Sequence, residues 1–340
     1  MNINENTVKE RLERINRFLL LNVDFIPSLG LIEGKIGVCL YLMEYAAFFE
    51  DEKVFKLSCD LFDEIIENLN INQGNDFKRG LCGITFAIEE LVSKGIIDLG
   101  DENILEEVYS KILSDAETIQ SSDMMNGLGC VIYCQLKRLA NSNDANKNDI
   151  EAILYKYFSR FDIFEIDRID LPLTLDMLTL AYELLDSKQV IEEKLLETAK
   201  RLSSGVDLQD YKNYNPIFLA SLFNTSFEKT ALKIFYEMAN NMLAEHEETF
   251  NHFINKESSV SSHTNADILL SYINMRNLPI QSITEKINFW ERKTFEEIPS
   301  SIAGFNIDQE VSNFRMFASY ARQGRKLIQY LNNHVLTNHY

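Results

Sequence analysis

A pair of glycines recurs along the chain at the entrance to strongly apolar segments. Gly34 and Gly37 precede VCLYLMEYA, and Gly80 and Gly83 follow 46 residues later, ahead of ITFAIEEL. Gly127 opens a third such segment after another 47 residues, in NGLGCVIYCQL, where a cysteine takes the second position. Because glycine inside a helix is about 1 kcal/mol less favourable than alanine, its return at a fixed period indicates a structural repeat.

The spacing continues after the glycines disappear. Further apolar segments begin near Leu171, Asn215, Ser261 and Ser301, and charged amphipathic segments such as DEKVFKLSCDLFDEIIENL separate them. A period of about 45 residues with two helices in each unit is typical of helical-hairpin repeats.

These units predict an all-α fold of seven helix pairs, each a polar-faced helix followed by an apolar one. The apolar helices need cover on most sides and therefore form an inner layer, while the charged helices form an outer layer. We expect an α/α toroid of about seven inner and seven outer helices, with an open superhelix of the HEAT type as the alternative. In this interpretation residues 1–340 form one domain.

The glycines have a physical role in such a ring. Inner helices converge at their N-terminal ends, where glycine permits close backbone approach and a tight turn. Free N–H groups at those ends would suit an anion or a carbonyl group. We expect five glycines to line the central cavity: Gly34, Gly37, Gly80, Gly83 and Gly127.

Composition narrows the choice of partners. The chain is 46% hydrophobic with a formal net charge of -19, which allows a large core and disfavours nucleic acid or an anionic membrane. The N-terminal segment is charged and amphipathic rather than a signal peptide. No apolar run reaches the roughly 20 residues that span a bilayer, so we expect no membrane span and a cytoplasmic location.

Five cysteines lie mostly in apolar helical contexts, which predicts buried free thiols in a reducing compartment. No CxxC spacing typical of a zinc site occurs among them. They are Cys39, Cys59, Cys82, Cys130 and Cys134.

The glycine segments resemble a known family. GLIEGKIGVCLYL, RGLCGITFAIEEL and DMMNGLGCVIYCQL are similar to the inner-helix starts of the lanthionine synthetase C-like family. The resemblance implies a seven-repeat α/α toroid that acts in peptide modification. In family cyclases a zinc ion lowers the pKa of a peptide cysteine, and the thiolate adds to a dehydrated serine or threonine.

The zinc ligands of that family are only partly present. Asn213, followed by Tyr214, stands in KNYNPIF where the resemblance implies the first cysteine, and Ser262 replaces the second. All three are expected to line the central cavity. His263 matches the ligand histidine. An amide, a hydroxyl and one imidazole make a poor zinc site, so the sequence predicts no metal and no other cofactor.

Two residues are candidates for catalysis by this resemblance. Asp123 matches an acidic residue ahead of the third repeat, and His263 is the second candidate. Each has a simpler interpretation, Asp123 as a cap or turn acceptor and His263 as a polar residue at a helix start. The fourth-repeat histidine of family cyclases is missing from DRIDLPLTLD.

The sequence leaves the function, and whether the chain is an enzyme, open. The favoured hypothesis is a zinc-free family member that binds a precursor peptide or a partner modification enzyme. The alternative is an active thioether-forming cyclase. A carbohydrate-active toroid is a further alternative, because acids occur near the apolar helix starts and sugar hydrolysis needs two carboxylates. These acids are Glu33, Asp76, Asp123, Asp176 and Asp267. The basic C-terminal segment RQGRKLIQYLNNH is expected to cap the last helix or to dock and close the ring.

Overall fold

The computed structural model describes most of the chain and is helical in its regular structure. The described residues are 5–99, 105–141, 146–162, 166, 170–204, 216–255, 265–275, 280, 283–297, 321 and 324–332. No strand occurs in these ranges, which confirms the all-α prediction. None of the helices described there combines the length and the apolar character needed to cross a membrane.

A short 3-10 helix, Val23–Phe25, follows the first α-helix. The bounds of the α-helices are α1 Glu5–Asn22, α2 Lys35–Phe49, α3 Glu52–Glu67, α4 Leu81–Ser93, α5 Glu106–Ala116, α6 Leu128–Asn141, α7 Lys147–Phe158, α8 Leu171–Leu184, α9 Lys188–Ser204, α10 Pro216–Thr230, α11 Lys233–Asn255, α12 Asn265–Asn274, α13 Ile283–Glu297 and α14 over 324–332.

Polar-faced and apolar helices alternate as the sequence predicts. Every residue of α2 from Lys35 to Ala46 is buried, whereas α3 buries one narrow stripe. The starts expected near Leu171 and Asn215 agree with α8 and α10. Helix α12 begins at Asn265, four residues later than expected, and the start expected near Ser301 lies outside the described residues.

The chain divides into two compact units. One contains Asn6–Asp162 and Ser300–Ile328, and the other contains Met1–Glu5, Ile163–Pro299 and Gln329–Tyr340. In the first unit α4 packs between α2 and α6, with α3 against α2 and both α5 and α7 against α6. In the second unit α10 packs against α8, α11 and α12, while α9 covers α8 and α13 covers α12. The single-domain organisation stays a prediction.

A helix cap and a buried hydrogen bond show how side chains fix the helices of the first unit. The Asp51 carboxylate caps α3 by accepting the N–H groups of Lys53 and Val54, both at 3.1 Å. Such a cap satisfies helix N–H groups that have no partner within the helix. The buried Tyr41 hydroxyl donates to Asn16 Oδ1 at 2.5 Å, which ties α2 to α1.

The first residues of α14, which belong to the same unit as α2, contact that helix. Gly324 lies so close to Tyr41 that an added Cβ would sit 2.2 Å from the ring carbon Cε2. Arg325 forms an ion pair with Glu44 of α2. The described part of the basic segment therefore contacts α2 through Gly324 and Arg325. That the segment caps the last helix or closes the ring stays a prediction.

The cysteines are all free, as predicted. Four are buried, and Cys59 on α3 is partly exposed. The prediction of buried thiols therefore holds for every cysteine except Cys59.

Candidate functional site

Three loops lead into the apolar helices α2, α4 and α6, and we call residues 28–34, 74–80 and 121–127 the glycine loops. They share one backbone geometry. In each, the first N–H of the helix donates to a carbonyl oxygen at the loop's start: Lys35 to Ser28 (2.9 Å), Leu81 to Gly74 (2.8 Å) and Leu128 to Ser121 (2.8 Å). The first amide of each helix, which we expected to be free for an anion, is therefore already used by its own loop.

Asp123 and Asp76 occupy the same position in two of these loops. Asp123 Oδ1 accepts the N–H groups of Met125 at 2.5 Å and Asn126 at 2.7 Å. Asp76 Oδ1 likewise accepts the N–H groups of Lys78 at 2.9 Å and Arg79 at 2.7 Å. Both carboxylates therefore hold a tight turn, which is the simpler of the two roles considered for Asp123. A catalytic role for Asp123 stays a prediction.

The glycines of the repeat lie where backbone atoms approach closely. Gly34 and Gly80 have extended φ, ψ angles that other residues also adopt, so their requirement is steric. An added Cβ would collide with loop backbone at every one of these positions: Gly34 with Gly30 N (2.2 Å), Gly37 with Leu31 O (2.1 Å), Gly80 with Gly74 O (2.1 Å), Gly83 with Phe77 O (2.3 Å) and Gly127 with Asp123 N (2.5 Å). That these glycines line a cavity stays a prediction.

The three glycine loops are joined to one another by backbone hydrogen bonds. The carbonyl of Lys78 in the second loop accepts the N–H groups of Ile32 at 3.1 Å and Glu33 at 3.2 Å in the first. The carbonyl of Met125 in the third loop accepts the N–H group of Phe77 at 2.8 Å. The loops therefore form one continuous, hydrogen-bonded edge at the N-terminal ends of α2, α4 and α6.

The acids proposed for a sugar-cleaving site are largely engaged. Glu33 pairs with Arg79 across two loops, with Arg79 Nη2 2.6 Å from Glu33 Oε2. Asp176, in the second unit, lies 3.7 Å from Lys229 Nζ. Asp76 and Asp123 hold turns, and the side chain of Asp267 lies outside the described residues. The described acids thus have structural partners, which weakens the carbohydrate hypothesis.

Three buried thiols meet between α4 and α6, near the glycine loops. Burial raises the pKa of the Cys82 thiol, and the neighbouring thiols of Cys130 and Cys134 raise it further. Thr85 Oγ1 lies 2.8 Å from Cys134 Sγ. Because the thiolate is the nucleophile and the metal ligand, a protonated Cys82 performs neither role.

The remaining site residues predicted from the sequence fall outside the described residues. They are Asn213, Tyr214, Ser262 and His263. Within the described part of the chain, no three His, Cys, Asp or Glu side chains are grouped so that they could hold a metal ion. The donor set of Asn213, Ser262 and His263 lacks both thiolates that the resemblance implies, so it does not fit zinc.

Sequence reasoning missed two features of the glycine loops. It treated Asp76 only as one of several acids, although Asp76 precedes Gly80 by the same interval at which Asp123 precedes Gly127. That interval was the available signal. The Glu33–Arg79 pair had no comparable signal, because it joins residues 46 positions apart.

The helix order, the apolar inner helices and the glycine loops together define a helical-repeat protein of the α/α toroid class. Among solved structures, nisin cyclase matches it with a TM-score of 0.63, over 95% of this chain and 98% of that chain. The two sequences are 12% identical, so the likeness shows the fold alone. It confirms the predicted toroid class over the open superhelix. No known family profile and no curated protein matches the sequence.

Proposed function

We propose that this chain is a lanthionine synthetase C-like protein of a peptide-modification pathway, which binds a precursor peptide or the enzyme that modifies it. The observation that carries the proposal is the likeness of fold to nisin cyclase over nearly the whole of both chains. The three glycine segments, whose sequences resemble the inner-helix starts of that family, support it independently.

Binding without zinc is favoured over zinc-dependent ring closure. Asn213 and Ser262 stand where the resemblance implies cysteines, and neither side chain supplies a thiolate. Cys82, near the start of α4, is no substitute, because it is buried and its thiol pKa is raised. In this proposal the chemical step is carried out by a separate modifying enzyme. The protein would bind either the precursor peptide or that enzyme.

Thioether formation is the second candidate. In that reaction the cysteine sulfur bonds to the β-carbon of a dehydrated residue, the carbon–carbon π bond breaks, and the thiol proton ends on the α-carbon. Asp123 and His263 would handle that proton. The specific support is that the matching solved structure is a cyclase and that Asp123 lies, half-buried, in the third glycine loop.

One peptide separates these candidates. The protein is incubated with a fluorescent synthetic peptide that contains one dehydroalanine and one cysteine. Anisotropy measures binding, and thiol alkylation followed by mass spectrometry measures ring closure, since closure itself leaves the mass unchanged. We expect binding with ring closure at the uncatalysed rate, and substoichiometric zinc in protein purified from zinc-replete medium. Absence of binding both to this peptide and to the dehydrating enzyme of the pathway, or stoichiometric zinc, would overturn the proposal.

Asp76 supplies a matched control for the cyclase candidate. D123N and D76N alter the same hydrogen bonds in two equivalent loops, so their effects on folding should match. If the chain closes rings, D123N alone should slow the reaction. Equal rates for the two variants would leave Asp123 with its loop role only.

A further inference from the structure

A groove of about 410 Å³ runs between α5 and α7 on the first unit. Its apolar lining comes from the last turns of α5 and the middle of α7. These residues are Leu113, Ala116, Ala152 and Ile153. Only Ala116 among them is fully buried, so the other three present apolar surface to the groove. The small side chain of the exposed Ala152 leaves room for an incoming apolar side chain.

Two acids stand on the rim of this groove. Glu117 and Asp149 line it and are both exposed. Neither carboxylate has a hydrogen-bond or ion-pair partner among the described residues. Both therefore remain available to a cation from outside.

Lys156 is the one cation among the described residues that line the groove, and it already has hydrogen-bond partners. Lys156 Nζ donates to the carbonyl oxygens of Ala116 and Glu117, both at 2.6 Å, and so caps the C-terminal end of α5. Arg160, one turn further along, donates to the carbonyl of Ile119 at 2.6 Å. These bonds fix the two helices against each other and hold both cations away from the rim acids.

We propose that the groove between α5 and α7 is a docking site for a peptide segment in which an apolar side chain is flanked by lysine or arginine. The apolar side chain packs over Ala152, between Leu113 and Ile153, and its basic neighbours pair with Glu117 and Asp149. Helices that offer such a trough commonly receive an amphipathic segment from a partner. The proposal concerns a second surface and stands whether or not the chain closes thioether rings.

Charge argues against a second copy of this chain as the occupant. The chain carries a formal net charge of -19, and the groove rim is itself acidic. Bringing like charges together opposes association. An enclosed small molecule fits less well too, because such ligands are buried on most of their surface and this groove is walled by only two helix faces.

The test uses the full chain and a short fluorescein-labelled peptide of alternating lysine and leucine, followed by anisotropy. A matched peptide with serine in place of leucine keeps the charge and removes the apolar side chains. We expect the lysine–leucine probe to bind, the lysine–serine probe to bind at least about tenfold more weakly, and high salt to weaken both.

Three variants locate the binding. A152W places a large side chain in the groove from an exposed position and should weaken binding about tenfold. E117Q/D149N removes the two rim charges and should weaken binding about three- to tenfold. D60N/E67Q removes the same charge from exposed positions on α3 and should bind like wild type. Circular dichroism checks that each variant is folded.

Several results would overturn the proposal. One is an A152W variant that binds the probe as tightly as wild type. Another is a D60N/E67Q variant that loses as much probe affinity as E117Q/D149N, which would indicate general attraction to an acidic protein. A third is a wild type that does not bind the probe. The last is wild-type self-association in sedimentation that A152W abolishes, because a second copy would then be the occupant.

Discussion

Arg325 and Glu44 form a two-point ion pair that joins the C-terminal helix to the first apolar helix. Arg325 Nε and Nη2 lie 2.8 Å from the two carboxylate oxygens, across 281 positions of sequence. The Glu44 side chain is only 5% exposed, and Lys94 Nζ adds a third contact at 2.5 Å. A carboxylate this buried needs its cations, because burying an unpaired charge is costly.

Removing the arginine should therefore destabilise the protein. R325M keeps the aliphatic length but leaves Lys94 as the one cation paired with Glu44 among the residues that the structure describes. Because Lys94 remains, we expect a loss of about 2 kcal/mol in the free energy of unfolding, below the usual cost of breaking a buried pair. Urea denaturation measures it.

An exposed pair provides the control. Arg17 and Glu13 lie 3.8 Å apart on α1, with Arg17 largely in solvent. R17M should change the free energy of unfolding by less than about 0.5 kcal/mol. Equal effects of R325M and R17M would contradict a role for the Arg325–Glu44 pair in stability.

Glu90 makes the same cluster sensitive to acid. Burial raises the pKa of Glu90, but the charges of Lys137, Lys94 and Arg325 outweigh it and lower the pKa below its ordinary value. A carboxyl with a lowered folded-state pKa stabilises the protein above its unfolded pKa, which is about 4.3, and loses that contribution as the pH falls through the folded value.

We therefore expect E90Q to be less stable than wild type at neutral pH and to converge with it in acid. Chemical denaturation from about pH 7 down to about pH 3 follows the difference. E67Q, at an exposed position on α3, should track wild type throughout. A constant gap between E90Q and wild type across this range would show that the lowered pKa contributes nothing.

The sequence predicted those parts of the fold that local signals encode. Glycine and apolar periodicity are both local, so the starts of α2, α4 and α6 agree with the glycine segments. Where the glycines are lost, the signal is periodicity alone, and α12 begins four residues away from its expected start. The class of fold was therefore easier to predict than the register of the later repeats.

Partnerships between distant residues were not predictable. The chain has 33 basic and 52 acidic residues, and nothing in the sequence around Arg325 or Glu44 indicates that these two form a pair. The loop role of Asp76 was within reach, because its interval to Gly80 repeats at Asp123 and Gly127. The groove between α5 and α7 depends on how these two helices pack against each other. The apolar pattern of each helix alone does not predict that packing.

Gly80 should tolerate no side chain. An added Cβ would lie 2.1 Å from Gly74 O and 2.4 Å from Asp76 N, and backbone atoms of a hydrogen-bonded loop cannot move aside cheaply. We expect G80A to lose at least about 2 kcal/mol of unfolding free energy. Thermal and urea denaturation measure it.

Gly74 lies in the same loop and is the control. The nearest atom to an added Cβ there is Asp76 Oδ2, at an ordinary contact distance of 3.7 Å. G74A should be neutral or stabilising by up to about 1 kcal/mol, since alanine restricts the unfolded chain. If G80A is as stable as G74A, steric crowding is not the reason for glycine in the repeat.

The cysteines should fall into two classes by their reactivity with thiol reagents: the four buried thiols, and the partly exposed Cys59. Burial raises the pKa of the Cys39 thiol, and four of the five cysteines are buried altogether. Cys59 is the partly exposed one, and its pKa is raised by desolvation and by the nearby carboxylates of Asp63 and Asp60. Because the thiolate is the reactive form, even Cys59 should react slowly at neutral pH.

Titration with an aromatic disulfide reagent tests this directly. The native protein should release about one equivalent of thiolate slowly, and the unfolded protein in concentrated guanidinium chloride should release all five. C59S should abolish the native signal and leave four thiols after unfolding. Fast reaction of any thiol in folded C59S would mean that the packing around at least one of the four buried cysteines opens on the timescale of the assay.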